Sequence, residues 1–419
     1  MSRPLPRPAK LSLLAVGLVG VAGILTVVSG SSSSPAQAAQ QPVSAAAYGF
    51  AQASGRTGSR LVTPRFRTRT TRPTTTPTTK PTTTPATTPT TAPATTPATA
   101  PATGAKRYVG GVSVGDLQPW NTRRSTDFAA MAAAHSSWIR SDLGWKYLEP
   151  TPGNWQFPLF DSVVNDAKAN GMRYLAILHT VPDWANGGVG DYAPPADLTR
   201  LTNYCYQTVK HYLPMGVREY EIGNEINLPH NGALYGGAVY TDKYLKPCVA
   251  GIRQATTELG TPATVLFGSL APTDWTGGSD PITFLTDSYA HGAAGLFDAL
   301  AWHPYTGSDT PMVSANMNSR PATLAAIMAS HGDGAKKIWA TEFGQATGGA
   351  YPISEQDQGK LVTDGLNTWY SKPFAGPMFW YSARDSGTSS TDREQHFGVL
   401  RNDGSKKPSY AVLASMLTR

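Results

Sequence analysis

The sequence predicts an α/β chain folded as one (β/α)8 barrel of the TIM type, preceded by a disordered Thr/Pro-rich linker. Three observations predict it. After residue 107, short apolar runs alternate with amphipathic stretches about eight times in 312 residues, the cadence of strand-then-helix units in a closed parallel sheet. Several runs are apolar throughout and do not alternate, as strands buried on both faces require. No Gly-rich phosphate loop follows the first run, which counts against a doubly wound open sheet.

The amino-terminal part differs in kind. Residues 1–107 hold 12 Lys or Arg and no Asp or Glu, leaving 23 basic and 28 acidic side chains for the rest. The formal +7 is therefore a basic arm on a mildly acidic body, and 37 of the 40 aromatic residues also belong to the body. A nucleic-acid enzyme would carry its basic patch on the folded part, so no nucleic-acid partner is expected. Residues 1–38 read as a secretory signal peptide: Arg3, Arg7 and Lys10 precede an apolar run over 11–28, and Ala36-Gln37-Ala38 offers a small-x-small cleavage site. The length of the run leaves an uncleaved anchor as the alternative. Residues 39–107 read as linker, with prolines at every fourth position from Pro73 to Pro101 favouring extended polyproline II. Arg56, Arg60, Arg65, Arg67, Arg69 and Arg72 make it basic. Such a run is either simply solvated or adheres to an anionic envelope polymer. The expected location is extracytoplasmic, secreted or attached to the cell envelope.

The catalytic body is expected over 108–419, as a monomer. Its strand candidates are 108–114, 138–141, 172–179, 217–222, 264–269, 296–302, 337–341 and 377–381. Helix signals fall between them. Ser125 is placed to cap the first helix, 160–170 stops at Gly171, and 197–213 carries Cys205. The stretch 240–259 ends at Gly260 and contains Pro247, which must kink it or mark its first turn. Pro321 opens another helix, Ser354 caps the next, and Pro408 opens the last. The only cysteines are Cys205 and Cys248. Export makes one disulfide between them the expectation, with two buried thiols as the alternative.

In a barrel of this kind the chemistry sits at the carboxyl ends of the strands. Arg140 ends the second strand and His179 the third, with Trp184 just beyond. Asn224 and Glu225 end the fourth, in Glu221-Ile222-Gly223-Asn224-Glu225. His303 and Tyr305 follow the sixth, Glu342 ends the seventh in Trp339-Ala340-Thr341-Glu342-Phe343-Gly344, and Trp380 closes the eighth. Taken singly these residues have plainer uses. A Glu can be a salt-bridge partner, Arg140 a pin between strands, and His179, His303, Trp184 or Trp380 core.

Jointly the pattern resembles the clan A glycoside hydrolases, retaining enzymes on a (β/α)8 barrel, and is most similar to families 5 and 39. The resemblance extends over about residues 108–419. It takes in Leu148-Glu149-Pro150, Gly153-Asn154-Trp155, His396-Phe397-Gly398-Val399 and Lys407-Pro408-Ser409-Tyr410. It implies cleavage of a β-linked polysaccharide or oligosaccharide, with Glu225 as acid/base and Glu342 as nucleophile. Arg140 and Tyr305 would then hold Glu342 ionised, and Asn224 would bind the sugar 2-hydroxyl. Trp380 would be the platform under the sugar, Trp184 a second stacking ring, and His179 and His303 would orient hydroxyls and neighbours. No His-x-x-Glu-His spacing or Asp-rich calcium loop occurs, so neither metal nor cofactor is expected. A glycan-binding barrel that no longer hydrolyses, or a transglycosylase, are the alternative functions.

Overall fold

Eight parallel strands form a closed ring. They are β1 (Tyr108–Ser113), β2 (Trp138–Asp142), β3 (Arg173–Leu178), β4 (Glu219–Ile222), β5 (Thr264–Leu270), β6 (Ala299–Trp302), β7 (Lys337–Phe343) and β8 (Ala375–Tyr381). Each pairs with the next, and β1 pairs with both β8 and β2 to close the barrel. A short β9 (Leu417–Thr418) adds to the start of β1. This computed structural model describes residues 108–113, 118–229, 235–273 and 278–418. The signal-peptide and linker expectations lie outside the described residues.

The helices form the outer layer: α1 (Arg124–Ala133), α2 (Trp145–Leu148), α3 (Phe157–Ala169), α4 (Asp183–Asn186), α5 (Leu198–Met215), α6 (Gly237–Tyr240), α7 (Lys246–Leu259), α8 (Pro281–Ala290), α9 (Ser319–Ser330), α10 (Glu355–Tyr370) and α11 (Pro408–Met416). Most of the expected ends hold. Ser354 caps α10 by accepting from the Asp357 N–H, α7 ends at left-handed Gly260, and Pro408 opens α11. Pro247 lies in the first turn of α7, directly after a π-helical turn over Thr241–Leu245. That wide turn accommodates a ring with no N–H to give.

Several readings change, among them the start of α9, which opens at Ser319 and takes Pro321 as its third residue. Ser125 sits inside the first turn of α1 and does not cap it. The sixth strand begins at Ala299, not at 296, because the Asp298 carboxylate turns back to accept from the Val265 N–H. Helix α8 was not among the sequence candidates, although Asp280 before Pro281 is a start signal and Asp280 accepts from the N–H groups of Ile282 and Thr283.

Strand side chains alternate, and the two sets build two cores. Ile139, Tyr174, Tyr220, Phe267, Leu300, Ile338 and Met378 face the helices in the large outer core. Trp138, Leu175, Leu266, Ala299, Ala301 and Phe379 fill the barrel interior, with Trp339 against them. The Trp138 ring meets Trp339 and Phe379 edge-on. Room for Trp138 comes from Gly111, where any Cβ would lie 2.5 Å from that of Trp138. With the lower barrel plugged by rings, the polar inward residues are left at the carboxyl ends of the strands.

Cys205 on α5 and Cys248 on α7 form the disulfide, closing a separation of 43 residues. Restricting the unfolded chain by a loop of that size is worth up to about 4 kcal/mol. The C205S variant should therefore melt several degrees below the parent in scanning calorimetry. Reductant should lower the parent and leave the variant where it is.

Candidate active site

The centre of the barrel mouth is one buried cation. Arg140 is 1% exposed, and all five of its N–H donors are used. Nε and Nη2 donate to the two oxygens of Glu221, each at 2.8 Å. Nη2 also donates to Asn224 Oδ1 at 2.7 Å, while Nη1 donates to Ser113 Oγ at 3.0 Å and to Glu342 Oε1 at 2.7 Å. Burial alone would lower the Arg140 pKa. The charge of Glu221, its hydrogen bonds and the charge of Glu342 outweigh burial and raise it, so the guanidinium is a fixed cation. Strands β1, β2, β4 and β7 thus meet on one side chain. Glu221 was not among the site residues chosen from the sequence, where it passed for one more residue of a buried strand. Its inward parity with Glu219, opposite Arg140, was the available signal.

Two carboxylates face each other above this cation. A register irregularity between Ala340 and Phe343 lets Thr341 and Glu342 both turn to the mouth before Phe343 rejoins the outer core. Glu225 has a left-handed backbone, φ 47°, unusual for a side chain with a Cβ. Its N–H is held by Ser269 Oγ at 2.9 Å. One ligand atom each of Glu225, His303 and Glu342 lies within 4.8 Å of the others.

The surroundings separate the two acids. Glu342 accepts from Arg140 on one oxygen and from the Tyr305 hydroxyl at 2.8 Å on the other. Burial, then the charge of Glu342, holds the Tyr305 pKa well above the usual phenol value, so this hydroxyl remains a donor. Glu225 Oε1 instead lies 3.0 Å from His303 Nδ1. The other ring nitrogen of His303 lies 3.2 Å from Thr341 Oγ1, whose own hydroxyl makes a long 3.5 Å contact to Glu221. The same His303 Nδ1 lies 3.6 Å from Glu342 Oε2, so the imidazole stands between the two acids. The trio of Glu225, His303 and Glu342 has donor types that can hold a divalent cation. Both oxygens of Glu342 are already engaged, however, one by Arg140 and the other by Tyr305.

Arg140, Asn224, Glu225, His303, Tyr305 and Glu342 are therefore brought together. His179 lies at the rim of the same group, buried, with Nε2 2.8 Å from Asp142 Oδ1. Trp184 goes elsewhere. It is half-buried in the wall after β3, edge-on to Trp145, and its indole N–H donates to the Glu149 carbonyl at 2.9 Å.

Trp380 is a correction. It is 4% exposed, packs edge-on against Phe343 in the outer core, and donates to the Phe397 carbonyl. Strand parity is the reason: Phe379 points into the barrel, Trp380 out, and Tyr381 in again. The ring at the mouth is that of Tyr381, which lies 5.2 Å from Phe397, itself 6.2 Å from Tyr305.

Two further residues were missed because their loops have no period to read. Tyr192, beyond β3, has its pKa raised by burial and then by the charges of Asp142 and Glu225. Glu394 sits in a 3-10 turn after β8. Burial, opposed by Arg393 and reinforced by Glu225 and Glu342, pushes it up to about 7. The fold thus binds this proton more tightly than the unfolded chain does, so its contribution to stability is present below the ordinary glutamate value of 4.5 and lost as pH rises through about 7. The parent should accordingly lose melting temperature between pH 5 and pH 8, and E394Q should lose less over the same interval.

Scanned against protein-family models the chain matches none, and no curated protein matches it. Solved structures do. A family 39 glycoside hydrolase from the gut symbiont Bacteroides cellulosilyticus WH2 superposes with a TM-score of 0.60 at 22% identity, over 74% of this chain and 64% of that one. This chain thus spans under two thirds of that protein's length. A GH5_18 protein from Bifidobacterium longum subsp. longum gives 0.56 at 15% identity, over 74% and 78%. The exo-β-1,4-mannosidase Op5Man5 from an Opitutaceae bacterium gives 0.53 at 16%, over 74% and 58%. At these identities the likeness shows a shared (β/α)8 fold, the fold that the sequence predicts.

Proposed function

We propose that this chain is a secreted retaining glycoside hydrolase acting on β-linked glycans through a covalent glycosyl–enzyme intermediate. The observation that carries the reading is the pair Glu225 and Glu342, with carboxylate oxygens within 4.8 Å and unlike partners. Retaining enzymes hold their carboxyl groups about 5–5.5 Å apart, and inverting ones leave room for a water between.

In the first step a Glu342 oxygen attacks the anomeric carbon while the bond from that carbon to the leaving oxygen breaks. Glu225 gives its proton to that oxygen. Arg140 and Tyr305 hold the attacking carboxylate in place by donating to its two oxygens. In the second step Glu225, now ionised, takes a proton from water, the water oxygen bonds to the anomeric carbon, and Glu342 leaves as carboxylate. Asn224, fixed by Arg140, is placed for the sugar 2-hydroxyl, a contact that strengthens as positive charge develops on the ring. Tyr381 takes the platform role first given to Trp380. The class of substrate is supported by neighbours of the same fold, among them fungal β-1,4-galactanases and a GH5_18 variant in complex with Manβ1-4GlcNAc. Export through residues 1–38 and tethering by residues 39–107 belong to the same proposal. Transglycosylation would use the same first step with a sugar as acceptor.

E342Q should lose at least ~10³-fold in kcat on an activated aryl β-glycoside, since the attacking group is gone. Near-parental turnover would refute the assignment. E225A should retain attack on substrates with good leaving groups but stall before the second step. Azide, which needs no general base, should restore its turnover and yield a β-glycosyl azide. An α-azide product would contradict double displacement.

A further inference from the structure

The two carboxylates leave unexplained a pair of large aromatic rings standing in water at the same mouth. Trp120 is 54% exposed and Tyr147 38%, with ring centroids 5.2 Å apart. Trp120 lies between β1 and α1, and Tyr147 lies in α2, directly after β2. Both connections leave the carboxyl ends of strands, so the pair stands on the face that carries Glu225 and Glu342. Rings of this size normally gain from burial, and an exposed pair on one patch marks a contact surface.

Contacts link the patch to the neighbourhood of the two carboxylates. Two residues before Trp120, buried Gln118 donates to Asp142 Oδ2 at 2.8 Å, and the other oxygen of Asp142 lies 2.8 Å from His179 Nε2. Beside Tyr147, the Lys146 ammonium sits 5.1 Å from that ring's centroid and pairs with Asp191. Asp191, His179, Tyr192 and Tyr235 in turn line an open cleft that Gly223 and Ile226, on either side of Asn224 and Glu225, also line. A run of polar and aromatic groups thus leads from beside Arg140 out to the exposed rings.

We propose that Trp120 and Tyr147 form a sugar-binding subsite remote from the bond that is cut, and that the substrate is an extended β-linked polysaccharide. The proposal rests on the glycosidase reading for the position of that bond. A pyranose ring offers an apolar C–H face that an aromatic ring can cover, and a rim of hydroxyls that Lys146 and Asp191 can bind. A substrate ending within the catalytic pocket would leave the patch bare. A chain of linked sugars, stiff and extended, follows the cleft and covers it.

The test uses native electrophoresis of E342Q, and of E342Q carrying W120A as well, through gels containing β-1,4-mannan, β-1,4-galactan, xylan or carboxymethylcellulose. At least one polymer should retard E342Q, and the added W120A should remove most of that retardation. In the active enzyme, W120A should lower the ratio of kcat/KM on that polymer to kcat/KM on the matching 4-nitrophenyl monoglycoside by ~5-fold or more. Circular dichroism and an unchanged melting temperature establish that the variant is folded. Retardation by none of the four polymers, or an equal loss on polymer and monoglycoside, overturns the proposal. Retardation that depends on Trp120, from a parent that hydrolyses nothing, leaves the binding surface standing and removes the glycosidase reading instead.

Discussion

The site depends on burying one guanidinium. Arg140 brings a full positive charge into the barrel, and the fold answers with Glu221, which takes two N–H groups, and with Glu342, Asn224 and Ser113, which take one each. Two carboxylates beside one arginine leave the cluster with a net negative charge, and the less buried of them, Glu342, is the one at the opening. Removing Arg140 would leave the Glu221 and Glu342 carboxylates without their cation, at a cost of about 3–5 kcal/mol. The chemistry and the stability of the barrel mouth therefore rest on the same contacts.

That arrangement also creates the difference between the two acids. Glu342 accepts from two donors, a cation and a phenol that does not give up its proton. Glu225 sits in a left-handed turn at the end of β4 and meets an imidazole. Non-glycine residues in that region of backbone space are strained and persist where the surroundings over-determine them. Here Ser269 fixes the Glu225 N–H, and Asn227 fastens the turn to β5 through bonds to both the N–H and the carbonyl of Ala271.

Much of this was legible in the sequence, because a parallel barrel turns strand ends into a list of neighbours. Arg140, Asn224, Glu225, His303, Tyr305 and Glu342 come from four strands or their ends and converge as the cadence of apolar runs implied. What was lost was lost at the scale of one residue. Trp380 and Tyr381 are adjacent aromatic residues on β8, and only the phase of a two-residue period, set by Phe379 entering the interior, decides which faces the cleft. Glu221 was hidden for the opposite reason, as a charge inside a strand whose neighbours are buried, where pairing with Arg140 is visible only in three dimensions. Glu394 and Tyr192 sit in connections whose course is set by tertiary packing, and no local pattern marks them.

The most direct measurement is to inactivate the enzyme with an activated 2-deoxy-2-fluoro-β-glycoside, digest it, and sequence the labelled peptide by mass spectrometry. Slowing the second step more than the first should trap the sugar as an ester. The account predicts a single added glycosyl mass on the peptide bearing Glu342, released when an acceptor sugar is supplied. A label on Glu225, or turnover of a reactive substrate with no covalent mass at any time, would contradict it.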